Sequence, residues 1–350
     1  MYEYVGSVHI HSTYSDGWGS VEKIAQAARE ARLDFIIITD HDNMKGYVEG
    51  KEGWYGRTLV LFGTELNRED HHYLAFNLKE ELDTRGLSPQ ETIDLVNQKG
   101  GFGFIAHPFE KGSPLVLQGK HYPWKDWKVH NFRGIEIWNY TSQWRDGAQN
   151  LPKALYSLYL HRNSNLKCPC PQSLQAWDRF LSRGDKVLAL GGTDAHAVPL
   201  KAGPLRAEIF PYSFLFQTIT THIYLPLKLR EDTLHDRVMV MEALQKGHYF
   251  TANDQVHPSR GFCYFGKNKE KQVLSGDTIT MDKETVLEVE SPSLRSIIRV
   301  IKEGRVVREA KSNNLIFKVL ERGAFRVEVY YRPLLGGPCP WIYSNPIFVA

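Results

Sequence analysis

Short apolar runs rich in β-branched residues recur along the first half of the chain, at 4–11, 34–39, 58–63, 72–77, 101–106, 134–138 and 186–190. Such runs predict buried strands. Helical periodicity fills several of the gaps. Ser20 is a cap for a stripe of Val21, Ile24, Ala25 and Ala28, and Ser88-Pro89-Gln90-Glu91 has both capping-box spacing and proline at the first helical position, with Gly100 as a stop. Strands alternating with helices predict an α/β fold with a parallel sheet closed into a barrel, its site on the rim where the strands end. After a helix expected at 234–245, the pattern changes. Segments 261–265, 285–290, 297–302, 305–309, 314–320 and 323–331 alternate apolar and polar residues, with turns such as Glu303-Gly304 between them. These predict a small antiparallel β-sandwich. The expected division is therefore a barrel over 1–257 and an accessory sandwich over 258–350.

Candidate chemistry sits at the ends of the predicted strands. His9-x-His11, Asp16, His41, Glu65, His72, His107, Asp194 and His196 form an imidazole and carboxylate set of the kind that holds divalent metals around an activated water. His9 and His11 are two apart on an extended segment, which turns both rings to one side and Ile10 to the other. Asp40 and Asp42 flank His41 and are expected to orient imidazoles. Glu136, in Gly-Ile-Glu-Ile-Trp-Asn, is read either as a residue supporting the ligands or as a strand-end carboxylate without a chemical role.

The ordered set His-x-His, Thr39-Asp40-His41, Glu65, Ala106-His107-Pro108 and Gly192-Thr193-Asp194-Ala195-His196 resembles the polymerase and histidinol phosphatase (PHP) superfamily over roughly three quarters of the chain. The resemblance implies a distorted (β/α)7 barrel with a trinuclear metal site. His9, His11, Glu65 and Asp194 then hold one metal, Glu65 bridges to a second on His72 and His107, and Asp16, His41 and His196 hold a third. His72 rather than neighbouring His71 is selected because Tyr-Leu-Ala follows it. Asp16 stands where some relatives have histidine, which shifts metal preference from zinc toward manganese, iron or magnesium. Two or three divalent ions (Zn, Mn or Fe) are implied. So is hydrolysis by an activated hydroxide, with Asp194, His196 and His107 as proton-transfer residues. The tail, at 323–329 and 340–347, resembles the domain appended to the CehA/McbA-like branch, which includes aryl carbamate hydrolases.

The remaining histidines, His121, His130, His161, His222, His235, His248 and His257, lack ligand spacing and are assigned to the surface or to packing. Cys168-Pro169-Cys170 has no second pair to complete a zinc motif, and four cysteines suit a reducing compartment. The aromatic-rich stretches 111–129 and 139–185 are read as packing or a dimer surface ahead of lids. A net charge of +3 is too small to argue for nucleic acid, and no run is long enough to span a bilayer. A cytoplasmic enzyme with a small-molecule substrate is expected. Phosphoesterase activity on a phosphorylated metabolite or nucleotide leads, with Arg206 and Lys201 as candidate phosphate contacts whose commoner reading is solvent-facing charge. Hydrolysis of a carbamate, amide or carboxyl ester is the alternative, and a non-catalytic metal-binding module is a further one.

Overall fold

The computed structural model describes every residue except Arg68, Gly203 and Pro204; the side chains of residues 200–207 are likewise outside the description. β1 (Tyr2–Ser7) leads into α1 (Val21–Glu30), β2 (Phe35–Ile38), the short α2 (Lys45–Val48), β3 (Gly53–Tyr55), β4 (Thr58–Phe62), β5 (Thr64–Leu66) and β6 (Tyr73–Phe76). Next come α3 (Pro89–Gln98), β7 (Phe102–Ile105), β8 (Gly134–Asn139), α4 (Tyr140–Gly147), α5 (Leu151–Leu155) with a π-helical turn over Tyr156–Leu160, and α6 (Pro171–Ser182). β9 (Leu188–Gly192), the hairpin β10 (Val198–Ala202) and β11 (Leu205–Ile209), α7 (Tyr212–Leu215), β12 (Ile219–Leu225), α8 (Thr233–Lys246) and β13 (Tyr249–Asn253) follow. The remainder is all β: β14 (Cys263–Lys267), β15 (Gln272–Leu274), β16 (Thr278–Ile279), β17 (Val286–Glu290), β18 (Ser296–Lys302), β19 (Arg305–Ala310), β20 (Asn314–Lys318), β21 (Gly323–Tyr331), β22 (Cys339–Ser344) and β23 (Ile347–Val349).

The local start signals act as the residues dictate. Ser20 accepts the Lys23 N–H at the head of α1, and Ser88 and Glu91 form a reciprocal capping box on α3, whose first residue is Pro89. The inward stripe of α1 is Val21, Ile24, Ala25 and Ala28. α8 closes on Gly247 at φ 86°, the left-handed conformation that glycine adopts without penalty.

Strand pairing differs from the expected (β/α)7 barrel. The strands are divided among several sheets. β4, β2 and β1 are parallel neighbours, but β1 then pairs antiparallel with β12, and β12 with β13. A separate five-stranded sheet has the order β5-β6-β7-β8-β9, in which only β7, β8 and β9 run parallel. Antiparallel pairing of β5 with β6 follows from the short 67–72 connection, too brief for the crossover helix that parallel strands need. An apolar run predicts a strand without giving its direction. The sheets meet through single backbone bridges, Ile10 to Ala195 and His41 to Glu65.

In the C-terminal region, β14, β15, β17 and β20 form a four-stranded antiparallel sheet. β18, β19 and β21–β23 extend the 12-stranded sheet, which runs on from β13 through the β13–β22 pairing. Phe250, Phe262, Tyr264, Leu287, Val300, Val327 and Trp341 pack together in the core of this region. Among the described residues, no helix is long and apolar enough to cross a membrane.

α6 ties this region to the first. Trp177 is fully buried, its indole N–H donates to Val187 O at 2.9 Å, and the Arg326 guanidinium of β21 lies 4.9 Å over its ring. Arg326 bonds both Asp178 carboxylate oxygens at 2.9 Å and Glu328 at 2.6 Å, in a site where the arginine is nearly inaccessible. Removing the cation strands two carboxylates. Arg326→Met is expected to lower the unfolding free energy by about 3–5 kcal/mol, read from urea denaturation; an unchanged midpoint contradicts this role.

Candidate metal centre

β1 ends at Ser7, so the His-x-His pair is not on a regular strand. Segment 8–11 is gripped from both sides instead. Thr39 N donates to Ile10 O and Ile10 N to the Thr39 hydroxyl, while His11 N donates to Ala195 O and Ala195 N to His9 O. His9 has φ 62°, and the two rings still converge, with centroids 5.3 Å apart. Ile10 is fully buried. The expected convergence of the rings is present, but a left-handed residue locked by neighbouring strands produces it rather than the alternation of a β-strand.

Glu65, on β5, is the hub. Its Oε2 lies 3.1 Å from His9 Nε2, 3.1 Å from His11 Nε2 and 3.5 Å from His41 Nδ1, and its Oε1 lies 2.8 Å from His72 Nδ1 and 3.1 Å from His107 Nε2. Each histidine comes from a different loop or strand end, apart from the His9–His11 pair. Asp194 Oδ1 adds contacts at 3.4 Å to His9 and 3.3 Å to His11. On the outer side, Asp16 lies 3.2 Å from His196 Nε2, 3.5 Å from His11 Nδ1 and 3.6 Å from His41 Nε2.

The structure brings all nine sequence-predicted ligands into one assembly. Among the described residues, three groups have potential donor atoms within 4.8 Å of one another: His9, His11, Glu65 and Asp194; His41, Glu65 and His72; and His11, Asp16, His41 and His196. The second group contains His41 where the resemblance implies His107, which instead joins through Glu65 Oε1 alone. His71 turns away to Asp70, 2.9 Å distant, and packs edge-on against Trp124.

Supporting contacts fix the rings. Glu136 accepts from His9 Nδ1 at 2.9 Å, from the His107 backbone N–H at 2.9 Å and from Asn139 Nδ2 at 3.0 Å. One carboxylate thus fixes the His9 imidazole and the His107 backbone, and leaves His9 Nε2 facing Glu65 and Asp194. His196 Nδ1 donates to Asp194 O at 2.9 Å, which directs Nε2 toward Asp16. Asp40 reaches loop groups, accepting from Ser12 N, Ser12 Oγ and Ser15 Oγ at 2.7, 2.6 and 2.5 Å, and so shapes the turn that carries Asp16. Gly17 in that turn has no room for a side chain, since a Cβ there meets His11 O at 2.1 Å. Gly192 is equally constrained, as its Cβ falls 2.2 Å from Glu136 Oε1. Asp42 accepts the Asn67 N–H at 2.7 Å. Lys201 and Arg206 face each other in the β10–β11 ladder, and their side chains lie outside the described residues.

Sequence reasoning did not single out Ser12, Ser15, Asn139, Glu110 or Tyr212. Tyr212 OH donates to His11 O at 2.7 Å, and buried Glu110, 3.8 Å from His107 Nδ1, pairs with Arg145 at 2.5 Å. Asn139 alone carried a signal, as a capping residue after an apolar run; its side chain accepts the Ser142 N–H on α4. Trp124, Trp144 and Trp177 are buried, so these aromatic insertions pack against the core.

Donor chemistry fits divalent cations. His11 Nε2, His41 Nδ1 and His107 Nδ1 are buried without hydrogen-bond partners despite facing carboxylates, an arrangement that suits lone pairs directed at an ion. Burial alone depresses an imidazole, but Glu65, Glu136 and Asp194 outweigh it and raise His9 well above its ordinary value. Burial is likewise overcome at His11 by Asp194 and Glu65, which push it up to about 10, and at His107 by Glu65 and Glu110, which push it up to about 9. His41 goes the other way, to about 3, because burial and the neighbouring imidazoles prevail. Glu65 and Asp194 are held well below the usual carboxylate range in spite of burial, by the surrounding histidines. His9, Asp194 and His107 also have φ of 62°, 52° and 24°, conformations that cost roughly 1–3 kcal/mol each and cluster at functional sites.

Geometry and donor set fit a divalent metal centre. Residues 7–123 match the family model of the PHP domain. Asp194 and His196 lie beyond that stretch. A curated relative, an uncharacterized protein of Methanocaldococcus jannaschii, is 33% identical over 116 residues, 29% of this chain and 66% of the relative's length. Among solved structures, a two-domain protein from Bacteroides vulgatus containing a predicted PHP-like metal-dependent phosphoesterase aligns at TM-score 0.46 and 14% identity, over 99% of this chain and 95% of that one. A candidate metal-dependent phosphoesterase from Bifidobacterium adolescentis aligns at TM-score 0.35 and 16% identity, over 55% and 87%.

Raised imidazoles mean that cations entering at neutral pH displace protons. Without metal, the protons on His11 and His107 stabilise the fold fully below the ordinary value of 6.5, and this contribution is lost as pH rises through about 9 and about 10. Metal affinity is expected to strengthen across that window. Titration calorimetry at pH 7 in buffers of different ionisation enthalpy should show proton release on Mn or Zn binding; buffer-independent heats contradict the assignment.

Proposed function

We propose that the chain is a metal-dependent hydrolase whose leading substrate class is a small phosphorylated metabolite or nucleotide. The observation that carries this reading is the convergence of five imidazoles on the two oxygens of one buried carboxylate. Such a donor set suits two or three divalent ions (Zn, Mn or Fe) with Glu65 shared between them. In this reading His9, His11, Glu65 and Asp194 hold the first, Glu65, His72 and His107 the second, and Asp16, His41 and His196 the third. When bound, the ions supply Lewis acidity that makes water nucleophilic near neutral pH and neutralises charge on the electrophile.

The chain's own residues divide the remaining work. Glu136 and the Asp194 carbonyl fix imidazole tautomers, so the ligand nitrogens point inward without reorganisation. Asp194, kept ionised, holds no proton to donate and acts as an acceptor. His196 and Asp16 are partly exposed while His9, His11 and Glu65 are buried, so substrate enters on the Asp16–His196 side. With the third ion absent, His196 is accordingly the residue placed to pass a proton to a leaving group. His107, buried and turned toward Glu65, is suited to ligation. We read segment 1–257 as the hydrolase domain, its bridged sheets acting as a distorted barrel around the site, and 258–350 as an accessory β-sandwich of the CehA/McbA-like type.

Hydrolysis of a carbamate, amide or carboxyl ester is a second reading with its own observation. Tyr122 stacks on His72 at 4.3 Å, and Trp18, two residues from Asp16, is exposed. Aromatic surfaces of this kind suit an aryl substrate. Metal-reconstituted protein is to be assayed on p-nitrophenyl phosphate mono- and diesters and on an aryl carbamate. Phosphate ester turnover falling by about 100-fold or more in Asp194→Ala is expected. Carbamate turnover alone replaces the leading reading with the second, and no turnover by fully metal-loaded protein favours a non-catalytic module.

A further inference from the structure

The segment that follows α4 presents its apolar face to solvent. α5 and the π-helical turn form one run from Leu151 to Leu160, with Ala154 and Ser157 buried beneath it and Leu158 packed on the core. Leu151, Leu155, Tyr156, Tyr159 and Leu160 fall on the outward side at helical spacing, and all are exposed, Leu160 to 79%. Two more exposed leucines, Leu115 and Leu117, lie on the neighbouring loop. That loop is tied to the end of α4 by Gln149 Nε2 on Gly112 O at 2.8 Å and Ser113 Oγ on Ala148 O at 2.5 Å. A helix packed on a core normally turns such side chains inward. A contiguous outward array marks a contact surface.

Charge identifies the occupant. Between Asp146 and Asp178 the chain contains no Asp or Glu, while Lys153, Arg162 and Lys167 lie in that stretch and are exposed. A second copy docked isologously sets these cations against their own counterparts with no carboxylate from the segment to pair them. An anionic bilayer interface receives leucines, tyrosine rings and cations together.

We propose that Leu151–Leu160, with its flanking cations, docks this protein on an anionic lipid surface. The segment is joined to the centre by α4, whose Thr141 hydroxyl donates to Asp194 O at 2.8 Å. The proposal stands on exposure and charge and does not depend on which bond the centre hydrolyses.

Flotation of the full chain with phosphatidylglycerol-containing vesicles and with pure phosphatidylcholine vesicles tests it. Wild-type protein is expected to float with the anionic vesicles and far less with the zwitterionic ones. Leu155→Glu combined with Leu160→Glu is expected to weaken binding by about tenfold or more, and replacing Lys153 and Arg162 by glutamine to weaken it about fivefold per cation. Unchanged metal content in both variants keeps folding out of the comparison. Absence of wild-type binding, or equal binding by the variants, overturns the proposal. So does lipid-free self-association that Leu155→Glu with Leu160→Glu abolishes, which assigns the face to a second copy.

Discussion

A buried carboxylate surrounded by imidazoles is the constraint around which this structure is organised. Glu65 is almost inaccessible, and removing a charge from water costs several kcal/mol unless it is compensated. Five histidines provide that compensation from segments that are far apart in sequence. In the metal-free chain, protons on His9, His11 and His107 balance the carboxylates; with divalent ions, the same lone pairs are freed for coordination. Either way the hub requires cations, and the surrounding backbone is shaped to deliver them.

The fold meets this requirement with strand ends more than with strands. Segment 8–11 is held between Thr39 and the 193–195 turn, and the paired sheets touch at Ile10–Ala195 and His41–Glu65, immediately beside the ligands. Left-handed residues at His9, His107 and Asp194 aim side chains that regular extended backbone would send elsewhere. Glycines at 17 and 192 leave space for His11 O and the Glu136 carboxylate. Rigid sheets thus set the loops, and hydrogen bonds within the loops set the rings, so preorganisation is distributed over both levels.

Much of the centre was legible in the sequence because ligand chemistry is local. His-x-His, the residues after each apolar run and the Asp-x-His near the end of β9 are visible without coordinates. Of the two adjacent histidines, His72 is buried beside Glu65 whereas His71 turns to Asp70. Strand direction was not legible, since an apolar run reads the same both ways, and the antiparallel β5–β6 and β1–β12 pairs replaced the expected parallel order. The reason given for the His9–His11 convergence also failed, because a positive φ at a histidine leaves no mark in composition. Glu110, Ser12 and Ser15 were missed for a related reason. Their roles arise from tertiary proximity, as in the 28-residue separation of Ser12 from Asp40. His222, assigned to packing, is fully buried between Glu3 and Asp254, at 2.7 and 3.1 Å, where it fastens β12 to β1 and to the turn after β13.

The shared role of Glu65 is tested most directly by metal stoichiometry. Wild-type protein and Glu65→Gln, each reconstituted with manganese or zinc, desalted and analysed by inductively coupled plasma mass spectrometry, give ions retained per chain. The account predicts about two or three ions on the wild-type chain and loss of most of them in the variant, since the amide keeps the shape of the hub but not its charge. Equal retention by both proteins, or none by the wild type, contradicts it.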